Sequence, residues 1–157
     1  ETTSTPAEYK RMFDAPDPAA VTTDTVTGLW ENDGSRYGDV RLRIDRDAIR
    51  FAIRCPKASV SAASPSRVYG LTVPAEVTAS SIRILERREL RGSVSAGQPG
   101  FDACNWISAE PSNLSVCSAT QTTTCFRVQE RHLLLDPITL FQSDANDAGG
   151  TFTKISD

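Results

Sequence analysis

The sequence predicts an all-β fold: an antiparallel meander closed into a small barrel of about eight or nine short strands, with at most one short helix. Two neighbouring segments carry most of that expectation, because their apolar residues recur with period two. These are Val40, Leu42 and Ile44 between Asp39 and Asp45, then Ile49, Phe51, Ile53 and Cys55 between Ala48 and Cys55. Further short apolar runs follow down to Ile155, separated by clusters of Gly, Pro, Asn, Asp and Ser and without a sustained helical period. A sheet of this many short strands removes its exposed edges by closing on itself.

Composition bounds the rest. The chain of 157 residues suits one domain with a sizeable core, and 39% hydrophobic with 24% charged residues is ordinary for a globule. No apolar run approaches the ~18 residues of a membrane-spanning helix. The formal charge of −3 argues against a nucleic-acid partner, since phosphate binding requires a basic excess on one face. Cys55, Cys104, Cys117 and Cys125 lack the C-x-x-C spacing of zinc or redox motifs, and there is a single histidine, so disulfides are expected. Disulfides imply an extracytoplasmic setting, whether periplasm, cell surface or medium. A chain opening on ETTSTPAE without methionine reads as a mature form from which a leader was removed.

Taken in order, residues 1–23 are rich in Thr, Pro, Ala and Asp and are expected to form a flexible tether, with the barrel over 24–157. Within the tether, AEYKRMF holds Tyr9, Met12 and Phe13, which could make one amphipathic turn; the alternative to a free tether is that Met12 and Phe13 dock on the domain or on a partner. A first strand is expected from near Asp24, with Val26, Leu29 and Trp30, to the turn at Asp33-Gly34. The central hairpin then pairs Ile44 with Ile49, Leu42 with Phe51 and Val40 with Ile53, turning at Arg46-Asp47. That register places Arg41, Arg43, Arg50 and Arg54 on the other face, with Asp39 opposite Arg54.

After a loop over PKASVSAASPS, Val68, Leu71 and Val73 precede Pro74, which marks an edge or bulge, and Val77, Ile82 and Ile84 follow it. The segment 80–91 also fits a helical spacing, but its β-branched start favours a strand. Short strands are expected at 104–108 and 114–116. A second hairpin joins Phe126 and Val128 to Leu133–Leu135 through a turn at 129–132. Ile138, Leu140 and Phe141 suggest another strand, and TFTKISD a last one anchored by Phe152 and Ile155.

Gly28-Leu29-Trp30 resembles the G-x-W start of lipocalins and their calycin relatives. The order of later features is similar to small lipocalin-like domains of exported bacterial lipoproteins. The resemblance implies that Trp30 packs under the core at the closed base of the barrel. It also implies an interior, including Leu42, Phe51, Ile53 and Tyr69, that leaves a cavity for a small apolar ligand. The later T-D-Y signature and the long helix before the last strand are missing from this sequence.

No residue set supports an enzyme. His132 lies four residues from Asp136, yet no nucleophile motif such as G-x-S-x-G accompanies it, so it reads as a turn histidine. Asp144, Asn146, Asp147 and Gly149 fail the spacing of a calcium loop and read as turn formers. Arginines 41, 43, 50, 54, 83, 87, 88 and 91 read as solvated strand faces interleaved with carboxylates. Asn113-Leu114-Ser115 is a glycosylation sequon, informative only in a eukaryotic source. No cofactor or metal is implied, and a monomer is expected. Two functions stand: a non-catalytic binding module holding a small apolar ligand, or a protein-interaction or protease-inhibitor-like module with a packed core. Among the three connectivities open to four cysteines we choose Cys55–Cys104 and Cys117–Cys125, the second closing the polar stretch SATQTTT.

Overall fold

The computed structural model describes residues 7–14, 25–32, 38–55, 67–91, 106–121, 124–135, 140–143 and 151–157. Among the described residues a short helix, α1 (Ala7–Arg11), precedes twelve strands: β1 (Gly28–Asn32), β2 (Asp39–Ile44), β3 (Ala48–Cys55), β4 (Arg67–Val77), β5 (Ser81–Ile84) and β6 (Arg88–Arg91), then β7 (Trp106–Ala109), β8 (Ser112–Val116), β9 (Cys125–Gln129), β10 (His132–Leu134), β11 (Gln142–Ser143) and β12 (Thr151–Ser156). Nine of them close into a barrel in the order β1-β12-β10-β9-β8-β5-β4-β3-β2. The other three form a separate small sheet, β11-β7-β6.

The central hairpin has the register that its alternation dictates: Ile44 faces Ile49, Leu42 faces Phe51 and Val40 faces Ile53. The Asp45 amide donates to the Ala48 carbonyl at 2.9 Å, which leaves Arg46-Asp47 as the turn. All six apolar side chains point inward and are essentially unexposed. On the outer face Arg54 meets Asp39 at 3.0 Å, the cross-strand ion pair expected from the register.

β4 explains Pro74. Up to that residue the strand pairs with β3, ending at Ala48 opposite Pro74. From Ala75 it pairs with β5, where Ala75 faces Ile84 and Val77 faces Ile82. Proline has no amide to donate, so it sits where the strand changes neighbour, and its carbonyl still accepts the Leu85 amide at 3.0 Å. The 80–91 segment is strand, as its β-branched start favours, and it is split into β5 and β6.

Four details depart from the sequence reading. β1 starts at Gly28 and not near Asp24, because the chain bends at Val26, whose carbonyl accepts the Trp30 indole N–H at 2.9 Å. Gly28 itself is required: its φ of +144° disfavours a side chain, and an added Cβ would lie 2.8 Å from the Ser156 carbonyl. The meander also contains one parallel pair, β8 with β9, where Ser115 faces Cys125 and Val116 faces Phe126. At the position of the strand expected over Ile138, Leu140 and Phe141, the latter two are buried core residues leading into β11, while Ile138 lies outside the described residues. Finally, the inward residues of β12 are Phe152 and Lys154. Ile155 points outward and packs in a second cluster with Tyr9, Met12, Leu29 and Ala52.

Candidate functional site

Inward positions decide whether the barrel can hold a ligand. Leu42, Phe51, Ile53 and Tyr69, the residues expected to line a cavity, come together in one core cluster and are 1%, 0%, 0% and 4% exposed. A void large enough for a ligand would leave its walls accessible from within. Instead the Phe141 ring lies on the Phe51 ring, with centroids 4.8 Å apart and planes at 19°. Trp30, Phe126 and Phe152 fill the same interior and are 0–2% exposed.

Sequence reasoning missed a buried cation in this core. Lys154 shares the inward face of β12 with Phe152, two residues away, and its side chain is fully covered. Its ammonium donates to the Thr25 carbonyl at 3.0 Å, lies 3.5 Å from an Asp157 carboxylate oxygen, and sits 5.6 Å from the centroid of the Trp30 ring. Burial of the charge is therefore matched by hydrogen bonding, pairing and a cation–π contact. The strict alternation of TFTKIS was the available signal, masked by the more conspicuous Ile155.

The exterior has its own built site, and its occupant lies within the expected tether. Tyr9, Met12 and Phe13 of α1 and the turn after it pack on the outer face of β1–β4. Ala52 and Gly70 face each other across β3 and β4, so two side chains that barely project leave a notch. The Tyr9 ring fills it so closely that a Cβ on Gly70 would collide with the ring. Its hydroxyl shares a hydrogen bond of 2.6 Å with the Thr72 hydroxyl.

Arginines rim this seat. Arg50 donates to Glu8 at 3.2 Å and to Asp45 at 2.8 Å. The guanidinium groups of Arg41 and Arg54 lie 5.4 and 4.9 Å from the centroid of the Phe13 ring. Arg41 is only 8% exposed. It donates to the Met12 carbonyl at 3.0 Å and pairs with Glu31 at 3.0 Å, but its Nε–H has no hydrogen-bond partner. A helix of five residues is far below the ~12–15 needed for stability in isolation, so these docking contacts are what hold α1 in shape.

Elsewhere the arginine faces are paired with carboxylates. Arg83 meets Glu76, Arg87 meets Glu110 at 2.8 Å, and Arg88 meets Glu86 at 2.8 Å. The hydrogen bond from Arg88, and secondly its charge, hold the Glu86 carboxyl below the usual glutamate range. This interleaving leaves the strand faces without the one-sign field that a polyanion would need. His132 opens β10 on the exterior, 3.4 Å from the Thr153 hydroxyl. Among the described residues no group of three His, Cys, Asp or Glu side chains could hold a metal ion.

Cys117 and Cys125 form a disulfide, with their Cα atoms 4.9 Å apart. Cys104, the expected partner of Cys55, and the Asp144–Gly149 loop lie outside the described residues. No family model matches this sequence, and comparisons with curated proteins and with solved structures return no significant similarity. The functional reading rests on the geometry alone.

Proposed function

We propose that this protein is a non-catalytic extracytoplasmic binding module that meets a protein partner through its outer surface, with the barrel as a filled scaffold. The observation that carries the reading is the Phe141 ring stacked on Phe51, one of the residues expected to line a cavity. A small apolar ligand requires a concave site largely formed in advance, and the residues best placed to line one are instead packed against one another. The Cys117–Cys125 bridge supports an oxidising compartment. The closed barrel, with Gly28 and Trp30 at its first strand, supports a lipocalin-like architecture whose interior serves stability.

Two measurements on the native protein test this. Solvent extraction followed by mass spectrometry should yield no apolar small molecule in stoichiometric amount. Cross-linking in the producing cell should give a discrete protein adduct mapped to the barrel exterior. A stoichiometric apolar compound, displaced by an apolar fluorescent probe, would overturn the reading in favour of a ligand-holding barrel.

A further inference from the structure

We propose that the outer face of β2–β4 is a receptor for a short acidic-aromatic helix of another protein, and that α1 is the chain's own exchangeable occupant of it. This rests on the protein-partner reading and names the surface it would use.

The seat selects a ring and a carboxylate. The Ala52–Gly70 notch takes an aromatic ring flat against the sheet, with Thr72 placed to hydrogen-bond a phenol. Arg50 receives the carboxylate of the preceding residue, as it does with Glu8. A second aromatic, four residues after the first and in the turn that follows the helix, lies beside Arg41 and Arg54 as Phe13 does. The partner's segment thus carries a carboxylate and an adjacent aromatic on a short helix, and a further aromatic four residues on in the turn after it.

Two features make α1 a replaceable occupant and not a piece of the core. Its anchors belong to a cluster separate from the barrel interior, so lifting it removes no inward side chain. It also leaves the buried Nε–H of Arg41 unsatisfied. A partner that brings a carboxylate to that donor forms a charge-assisted hydrogen bond that α1 does not make. A competing segment therefore has something to gain at this face beyond reproducing the contacts of α1.

The test uses the full chain with Tyr9→Ala and Phe13→Ala, which disarm α1 without touching the barrel core. The probe is an acetylated peptide of the natural sequence from Pro6 to Asp14, followed by the amide resonances of Ala52, Gly70 and Thr72 and by fluorescence anisotropy. The disarmed chain should bind the peptide saturably. The natural chain, whose own α1 competes at high effective concentration, should bind it at least about tenfold more weakly. Gly70→Leu in the disarmed chain should abolish binding. Should that variant lose its fold, Arg50→Glu in the disarmed chain with a Glu8→Arg peptide decides the matter by charge exchange: the swapped pair should bind, and either mismatched pair should not. Absence of saturable binding, equal binding by natural and disarmed chains, or indifference to both Gly70→Leu and the charge exchange would overturn the proposal. Failure here leaves a protein partner possible at another surface, whereas a stoichiometric apolar ligand would remove the protein-partner reading and leave any peptide binding intact.

Discussion

The β2–β3 hairpin and the β8–β9 seam are both parts of one barrel wall, yet they are held together by different means. The hairpin has six facing residue pairs, a two-residue turn and inward side chains at every second position. The seam has two facing pairs in parallel orientation, Ser115 with Cys125 and Val116 with Phe126. The backbone adds one bond beyond them, from the Cys117 amide to the Phe126 carbonyl at 2.9 Å. Across that short parallel stretch lies the Cys117–Cys125 disulfide. At this brief parallel seam the disulfide adds a covalent link to the two facing pairs.

The largest effect comes from breaking the hairpin side. Phe51→Ala empties an aromatic position that is 0% exposed and leaves Phe141 without its stacking partner. It should cost about 3–5 kcal/mol in denaturant unfolding. A loss below ~1 kcal/mol would mean that the interior collapses around the gap and is not packed as described.

Breaking the seam should cost less globally and more locally. The paired change Cys117→Ser with Cys125→Ser removes the constraint on a short loop, worth about 2.5 kcal/mol in the chain-entropy treatment. Hydrogen exchange should then accelerate at Cys117 and Phe126 while Leu42 and Phe51 keep their protection. Uniform acceleration across both regions would show that the barrel opens only as a whole.

A smaller effect sharpens the comparison on the other side of β9. The turn joining β9 to β10 places Glu130 and Arg131 at φ of 52° and 68°, left-handed conformations that glycine and asparagine adopt more easily. Glu130→Asn with Arg131→Gly should therefore stabilise the domain by roughly 1 kcal/mol, read as a raised Tm. A lowered Tm would assign the two side chains a role that their exposed positions do not suggest.

The same contrast explains what could be read from the sequence. Val40 to Ile53 was legible because a period of two, a short turn and opposite charges at Asp39 and Arg54 all specify a single register. The parallel seam was not, since nothing in Ser115-Val116 or Cys125-Phe126 encodes the direction of a neighbour; that direction is set by closure of the whole ring. Leu42, Phe51, Ile53 and Tyr69 were recognisable as inward residues. Whether they enclose space depends on Phe141, ninety residues from Phe51, and on how a segment of irregular pattern is steered into the core. The seat for α1 was equally hidden, because a notch made by Ala52 and Gly70 appears only once β3 and β4 are in register.

The pairing of β1 with β12 also has a consequence in time. Trp30 faces Lys154, so the ring joins residues more than a hundred positions apart, and it cannot close during synthesis until the chain has been made through Ser156. Until then β1 and β10 present unpaired edges while β2, β3 and β4 can already associate locally. A chain in which β12 has not docked would therefore carry two open sheet edges that the finished barrel lacks, and those edges are where it would pair with other chains.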